Sequence, residues 1–230
     1  MVYIGEGSQT QTFKDRAKYL SKIHTTRLLS GSGYDKHITP PRINNTKLNK
    51  YVDSVKLEIH TTMTIHMLQH FDPIAHGFDA EFTLDLEWFD SRLQYRNLRS
   101  KPAINSLALE EAQLIWFPDF VFVNTAKKDM GLVDEKAVFH VLKKGEGKRY
   151  KKYVLENKFV YKGEENYIEY QRHYFKHFEC HYELHWYPFD TQQCQIEIAP
   201  FSDLKKFVEL VTEDFIYEGP MELTTFVIKR

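Results

Sequence analysis

The sequence has no apolar run of the ~20 residues that a membrane-spanning helix needs. Only two cysteines are present, Cys180 and Cys194, which excludes a small domain held by many disulfides. Ten glycines and eight prolines among 230 residues are too few for a collagen-like or linker-rich chain. Neither sign of charge is in excess. Thirty-one Lys and Arg face 32 Asp and Glu, and the formal net charge of -1 leaves no overall field to draw in a nucleic acid. The opening residues, Met1 to Thr10, lack the basic and apolar regions of a signal peptide. A glycine-rich phosphate loop, a Gly-x-Ser-x-Gly elbow and a His-Glu-x-x-His pair are all missing. Nothing selects one carboxylate pair as a catalytic dyad, so the chain is not expected to be an enzyme or to hold a cofactor.

What is present points to a packed β domain. Hydrophobic residues make up 42% and aromatic residues 15%, which excludes a disordered chain. Phe13, Ala17, Leu20, Ile23 and Leu28 recur at the helical period, so a helix is expected over about 12–30. Thr12 with Asp15 caps it, and Gly31 and Gly33 stop it. From Val55 the period becomes two: Val55, Leu57, Ile59, Met63, Ile65 and Met67 alternate with polar residues. Asp72-Pro73 and Gly77 mark a turn, and Ala80 to Trp88 alternate again. Further strands are expected at 114–123, 137–142, 166–179, 182–187, 194–199, 205–211 and 222–229. Many short strands separated by turns predict an all-β, immunoglobulin-like sandwich of about ten strands over about 50–230. The stretch 143–165, rich in Lys and then Glu, reads as a charged, exposed insertion between strands.

His173, His177, His181 and His185 recur every four residues. On a helix this would be a metal pattern, but in a strand four residues span ~13 Å, too far for one ion. No metal site is therefore expected. The eleven histidines do offer a response to pH, because imidazole titrates near neutrality. Asn44-Asn45-Thr46 is a glycosylation sequon centred on Asn44.

Cys180 and Cys194 flank thirteen residues that include Tyr187-Pro188-Phe189-Asp190. They either close a compact loop or remain two separate buried thiols. An aromatic-Pro-Phe-Asp run inside a Cys-x13-Cys spacing resembles the signature of the Cys-loop receptors, the pentameric ligand-gated ion channels. Three more motifs occur in that family's order. Trp88, Asp90, Arg92 and Leu93 are similar to its Trp-x-Asp-x-Arg-Leu, and Trp116, Pro118 and Asp119 to its Trp-x-Pro-Asp. Gly33 to Lys36, followed by Pro40-Pro41, resembles its link from the N-terminal helix into the first strand. The resemblance covers about residues 13–230.

The resemblance implies an extracellular ligand-binding domain that forms a pentamer with identical or related subunits. It implies a Cys180–Cys194 disulfide and a role for Tyr187, Pro188, Phe189 and Asp190, together with the turn at Asp72 and Pro73, in passing ligand binding to a pore. Trp88, Asp90, Arg92, Trp116, Pro118 and Asp119 are expected to serve the fold. Ligands in the family bind between subunits, which would place Phe201, Val121 and Val123 on one face. Thr83, Asp85, Glu169 and Gln171 would lie on the facing one. Asp85 falls where receptors for glycine, GABA and glutamate use an Arg for the ligand carboxylate, so the resemblance favours a small-molecule ligand that is an amine or other cation over an anionic amino acid. A capping hairpin, a last strand and membrane helices are expected beyond Arg230, which would anchor the domain on the outer side of the cell membrane. The rival reading is a soluble, secreted homologue that binds a ligand without gating a channel. An enzyme built on a sandwich and a structural adhesion domain stand further off.

Overall fold

The computed structural model describes residues 34–37, 56–96, 98–126, 128–131, 133–149, 159–187, 189–223 and 227–228. The expected helix over 12–30, the sequon at Asn44 and Pro188 of the disulfide loop lie outside the described residues. The strands are β1 (Leu57–Asp72), β2 (Gly77–Trp88), β3 (Gln94–Arg96), β4 (Ser106–Leu107), β5 (Phe120–Phe122), β6 (Ala137–Leu142), β7 (Lys148–Arg149), β8 (Phe159–Lys162), β9 (Tyr167–Glu179), β10 (Ile198–Pro200) and β11 (Val208–Tyr217). Among the described residues one short α-helix, α1, covers Leu109–Ala112. The protein is all-β, as its alternating pattern predicts. Among the described residues no helix is long and apolar enough to cross a membrane.

The chain divides into two compact units. In the unit built from Val52–Trp88, Phe117–Ala137 and Tyr170–Arg230, strands run in the order β11-β1-β2-β9. β1 and β2 form an antiparallel pair, with Thr62 opposite Asp85 and Thr64 opposite Thr83. β1 also pairs with β11, in parallel, starting with Leu57 beside Val208. The period of two sorts the side chains by face. Ile59, Met63 and Ile65 of β1 are buried, as are Ala80, Phe82, Leu84, Leu86 and Trp88 of β2. The second layer of this unit is the antiparallel pair β5–β10. Phe122 of β5 reaches across to Phe82, Tyr174 and Phe178 at centroid distances of 5.8, 5.1 and 6.1 Å, edge-on in each case. Edge-on rings avoid repulsion between their negative faces, and burying each large side chain contributes roughly 2–3 kcal/mol.

Two cations interrupt the inward face of β9. Arg172 pairs with Asp134 at 2.6 Å and lies over the Tyr174 ring at 4.3 Å. Lys176 pairs with Asp129 at 2.8 Å and lies over Phe122 at 4.8 Å. Each charge thus has both a carboxylate and an aromatic face, the arrangement that makes burying it tolerable.

The unit built from Met1–Tyr51, Phe89–Trp116 and Val138–Glu169 contains the sheet β3-β8-β7 and the pair β4–β6. Asp90, only 1% exposed, organises its start. Its carboxylate accepts from the Arg92 side chain through Nε at 3.0 Å and Nη2 at 2.8 Å, and from the Arg92 N–H at 3.0 Å. Tyr34 donates its hydroxyl to Asp90 at 2.9 Å and accepts the Trp116 N–H at 2.7 Å. Burial, and then the Asp90 charge, raise the Tyr34 pKa well above its ordinary value. The family-like motifs around Asp90 and Trp116 and the Tyr34 segment therefore converge on one hydrogen-bonded centre. Gly163 closes the same region: its N–H donates to Leu93 O at 2.9 Å, and a Cβ there would lie 2.0 Å from Asp90 O.

Several expected elements differ from those observed. The segment 182–187 has the alternation of a strand but forms an irregular run and a turn, and among the described residues no strand pairs with it. Of 114–123 only Phe120–Phe122 is strand, and 194–199 shortens to Ile198–Pro200. The strand expected at 205–211 starts later and runs on to Tyr217. The described part of 222–229 contributes a single bridge between Glu222 and Val227. Within 143–165, β7 and β8 join a sheet with β3, so part of the charged stretch is structural.

Candidate functional site: the disulfide loop and the β1–β2 turn

Cys180 and Cys194 form a disulfide with Cα atoms 5.3 Å apart. Closing a loop of this size removes freedom from the unfolded chain and contributes ~3 kcal/mol in the chain-entropy model. The feet of the loop are tied by Asn124. Its side-chain amide donates to Gln195 O at 2.7 Å and to Glu179 O at 3.2 Å, and its oxygen accepts the Glu197 N–H at 3.0 Å. Inside the loop Gln192 forms two 2.9 Å bonds with the main chain of Glu183, one in each direction, and also contacts Asp190.

The loop is held against the β1–β2 turn. Cys180 N–H donates to His76 O at 2.8 Å, and the Tyr182 hydroxyl donates to Gly77 O at 2.8 Å. Asp72 shapes the turn by accepting the N–H groups of Ile74 and Ala75 at 2.8 and 2.9 Å. Those two amide bonds hold the Asp72 carboxyl below its ordinary pKa. A Cβ at Gly77 would lie 2.2 Å from the His177 ring, so a side chain there would require that ring to move.

The two loops enclose an open cleft of about 500 Å3, lined by His70, Phe71, Asp72, Pro73, Ile74, Leu184 and Tyr187. Around it the apolar side chains face outward: Ile74 is 90% exposed, Phe189 91%, Tyr187 75% and Trp186 74%. An exposed apolar cluster of this kind has no role in folding the domain that displays it. Tyr187, Phe189, Asp72 and Pro73 are thus brought to one end of the unit. Ile74, Leu184 and Trp186 join them without having been singled out in the sequence. An isolated isoleucine in an Asp-Pro turn is the signal that could have flagged Ile74.

The residues expected to face a ligand occupy two places. Val121 is paired with Ala199 on the β5–β10 layer, and Val123 comes just after the end of β5, its N–H bonded to Glu197 O. Phe201 comes just after β10 and donates its N–H to Asp119 O at 2.9 Å. Burial raises the Asp119 carboxyl above its usual range. Thr83 and Asp85 lie on the outward face of β2, and Gln171 on β9. Thr83 is hydrogen-bonded to His66 at 2.8 Å. Burial raises the Asp85 pKa, a bond from Gln171 opposes the rise, and Glu87 adds to it. Among the described residues one Asp85 oxygen is buried without a hydrogen-bond partner. Glu169 sits earlier on β9.

The same outward face carries paired histidines. His60 contacts Glu213. His66 bonds Glu218 at 3.1 Å and stacks on His173, which pairs with Glu81 at 3.1 Å. Asp79 is held between His70 at 2.8 Å and His177 at 2.7 Å. Among the described residues no group of three His, Cys, Asp or Glu side chains is placed to hold a metal ion.

The family model of the neurotransmitter-gated ion-channel ligand binding domain matches residues 22–229. The chain is 22% identical over 175 residues to the glutamate-gated chloride channel of Drosophila melanogaster; the aligned part is 76% of this chain and 32% of that relative. The chain thus spans about a third of the curated relative's length. That family is a class of channel domains and not of enzymes. With nearly its whole length matched, the chain belongs to the neurotransmitter-gated ion-channel ligand binding domain family.

Proposed function

We propose that this domain is the extracellular ligand-binding part of a channel subunit, that it assembles into a pentamer with identical or related subunits, and that ligand binding between subunits opens a pore through the disulfide loop. The observation that carries the reading is the exposed cluster of Ile74, Trp186, Tyr187 and Phe189 on two loops pinned to one another. Such a cluster fits the apolar and interfacial groups at the outer end of a membrane domain. A ligand that binds the open state more tightly than the closed one shifts the gate, and the loops carry that difference.

A small cation is the ligand chemistry favoured by Asp85. Its unpartnered oxygen and its neighbour Glu87 would both gain from a nearby positive charge. The relative's name specifies glutamate. The resemblance implies that Asp85, an acid, stands where a carboxylate-binding Arg would be needed, which argues against an anionic amino acid here. Aliphatic Val121 and Val123 leave Phe201 to supply most of the aromatic surface on its face.

The test is electrophysiology on the full-length gene product, challenged with a panel of amines and amino acids. An amine-evoked current is expected, with Phe189→Ser abolishing the current while surface expression and ligand binding persist. Binding without current, from a product lacking apolar ~20-residue segments, would establish the soluble homologue instead.

A further inference from the structure

His76 and His181 belong to different coupling loops, and their rings stack. The centroids are 6.0 Å apart and the planes are inclined by 15°. His76 sits in the β1–β2 turn at a positive φ of 55°, a backbone region that histidine enters more readily than most residues. His181 follows Cys180 directly, at the entrance of the disulfide loop. Both side chains are exposed, so protons reach them freely.

A second histidine stack shows what is unusual here. His66 and His173 stack at 5.5 Å, but each has its own carboxylate, Glu218 and Glu81 respectively. When both of those rings are protonated, each keeps a compensating negative charge. Among the described residues neither His76 nor His181 is hydrogen-bonded to a carboxylate. The charged and titratable groups around the pair are Asp72 on the same turn, Asp79 and His70 at the adjoining strand ends, and His177 on β9. Glu179, Glu183 and His185 flank His181 in sequence. Asp72 is influenced by the charges of both His76 and His177, and its Oδ1 accepts from Ile74 and Ala75. Asp79 is already held by His70 and His177.

We propose that His76 and His181 form a proton-binding contact between the two coupling loops, closed when at most one ring is charged and loosened by the second proton. An imidazolium stacked on a neutral imidazole is attracted to its ring face. Two imidazolium rings at this spacing repel one another; among the described residues neither is hydrogen-bonded to a carboxylate, and the Asp72 charge, which acts on His76, offsets the repulsion in part. The repulsion acts beside the two bonds that join the loops, from Cys180 N–H to His76 O and from the Tyr182 hydroxyl to Gly77 O. Protons thereby become an effector of the loop pair. The inference concerns the domain itself and holds whether or not the loops act on a pore.

The experiment is amide hydrogen exchange in the 230-residue chain at about pH 7.5 and about pH 5.5, either side of the ordinary histidine pKa of ~6.5 and corrected for intrinsic rates. Acidification lowers protection of the 72–78 and 180–187 segments roughly tenfold in the parent and leaves it unchanged in His76→Gln. His76→Lys, charged throughout, shows the acid-state exchange already at neutral pH if His181 is also replaced by Lys. Equal loss of protection in parent and His76→Gln would overturn the proposal.

Discussion

Asn124 and Glu179 bond to each other's main chain from both sides: Glu179 N–H donates to Asn124 O at 2.8 Å, and the Asn124 side chain donates back to Glu179 O at 3.2 Å. Because the same side chain also reaches Gln195 and Glu197, it fixes the distance between the two arms that enter and leave the disulfide loop.

Asn124→Ala is therefore expected to lower stability by about 2 kcal/mol, since three modest bonds are lost and main-chain groups are left unpaired. Chemical denaturation measures the loss. Asn124→Asp keeps the acceptor for Glu197 and loses both donors, so it falls between parent and Ala.

Replacing Cys180 and Cys194 together by Ser costs about 3 kcal/mol through the freedom returned to the unfolded chain. The denaturation midpoint of the parent in reducing buffer should fall to that of the double variant. A parent midpoint insensitive to reductant would show that the loop contributes no closure stability.

Asp90→Ala leaves the Arg92 guanidinium and the Tyr34 hydroxyl without their shared acceptor, at a cost of about 3 kcal/mol. Tyr34→Phe costs about 1–2 kcal/mol, because the Trp116 N–H also loses its partner. A double-mutant cycle on Tyr34 and Asp90 should give non-additive losses, since both belong to one network.

The sequence made the long strands readable because β1 and β2 each bury alternate residues against one core, and a period of two cannot then be mistaken. It misled at 182–187 for a physical reason. Tyr182, Leu184 and Trp186 alternate as a strand would, but Leu184 and Trp186 point into solvent, and the Glu183 main chain bonds to the Gln192 side chain instead of a strand. The apolar tip of the loop was visible in Tyr187 and Phe189. Its partner Ile74 and the braces Asn124 and Gln192 were not. Their importance lies in contacts between residues far apart in the chain, and those leave no local pattern.

Acid should weaken the domain partly through Asp134. Its hydrogen bond from Arg172 is the main cause that holds its pKa below the ordinary value, against the opposing effect of burial. A carboxyl depressed in the folded state contributes stability above its unfolded pKa of ~3.9 and loses it as pH falls through the folded value. Asp134→Asn should flatten that limb of the stability–pH curve, measured by thermal melting from about pH 2 to about pH 6.

Asp85 should behave in the opposite sense. Burial raises its pKa, so ionising it works against the fold, and its unfavourable effect grows as pH rises from ~3.9 through the folded value. Asp85→Asn is expected to leave stability unchanged or raise it at neutral pH, while removing affinity for any cationic ligand. Equilibrium dialysis with the active amine, beside a melting curve, reads both effects.

The parallel pairing of β1 with β11 sets a timetable for the nascent chain. β1 meets β2 across a short turn soon after synthesis, but its other edge waits for Val208 to Tyr217 to emerge. Until then a long strand with a bare row of amides and carbonyls stands open to any neighbouring chain. Assembly of this domain on the ribosome thus has a vulnerable interval, set by the late arrival of one strand, in which a chaperone or a premature partner would compete for the same edge.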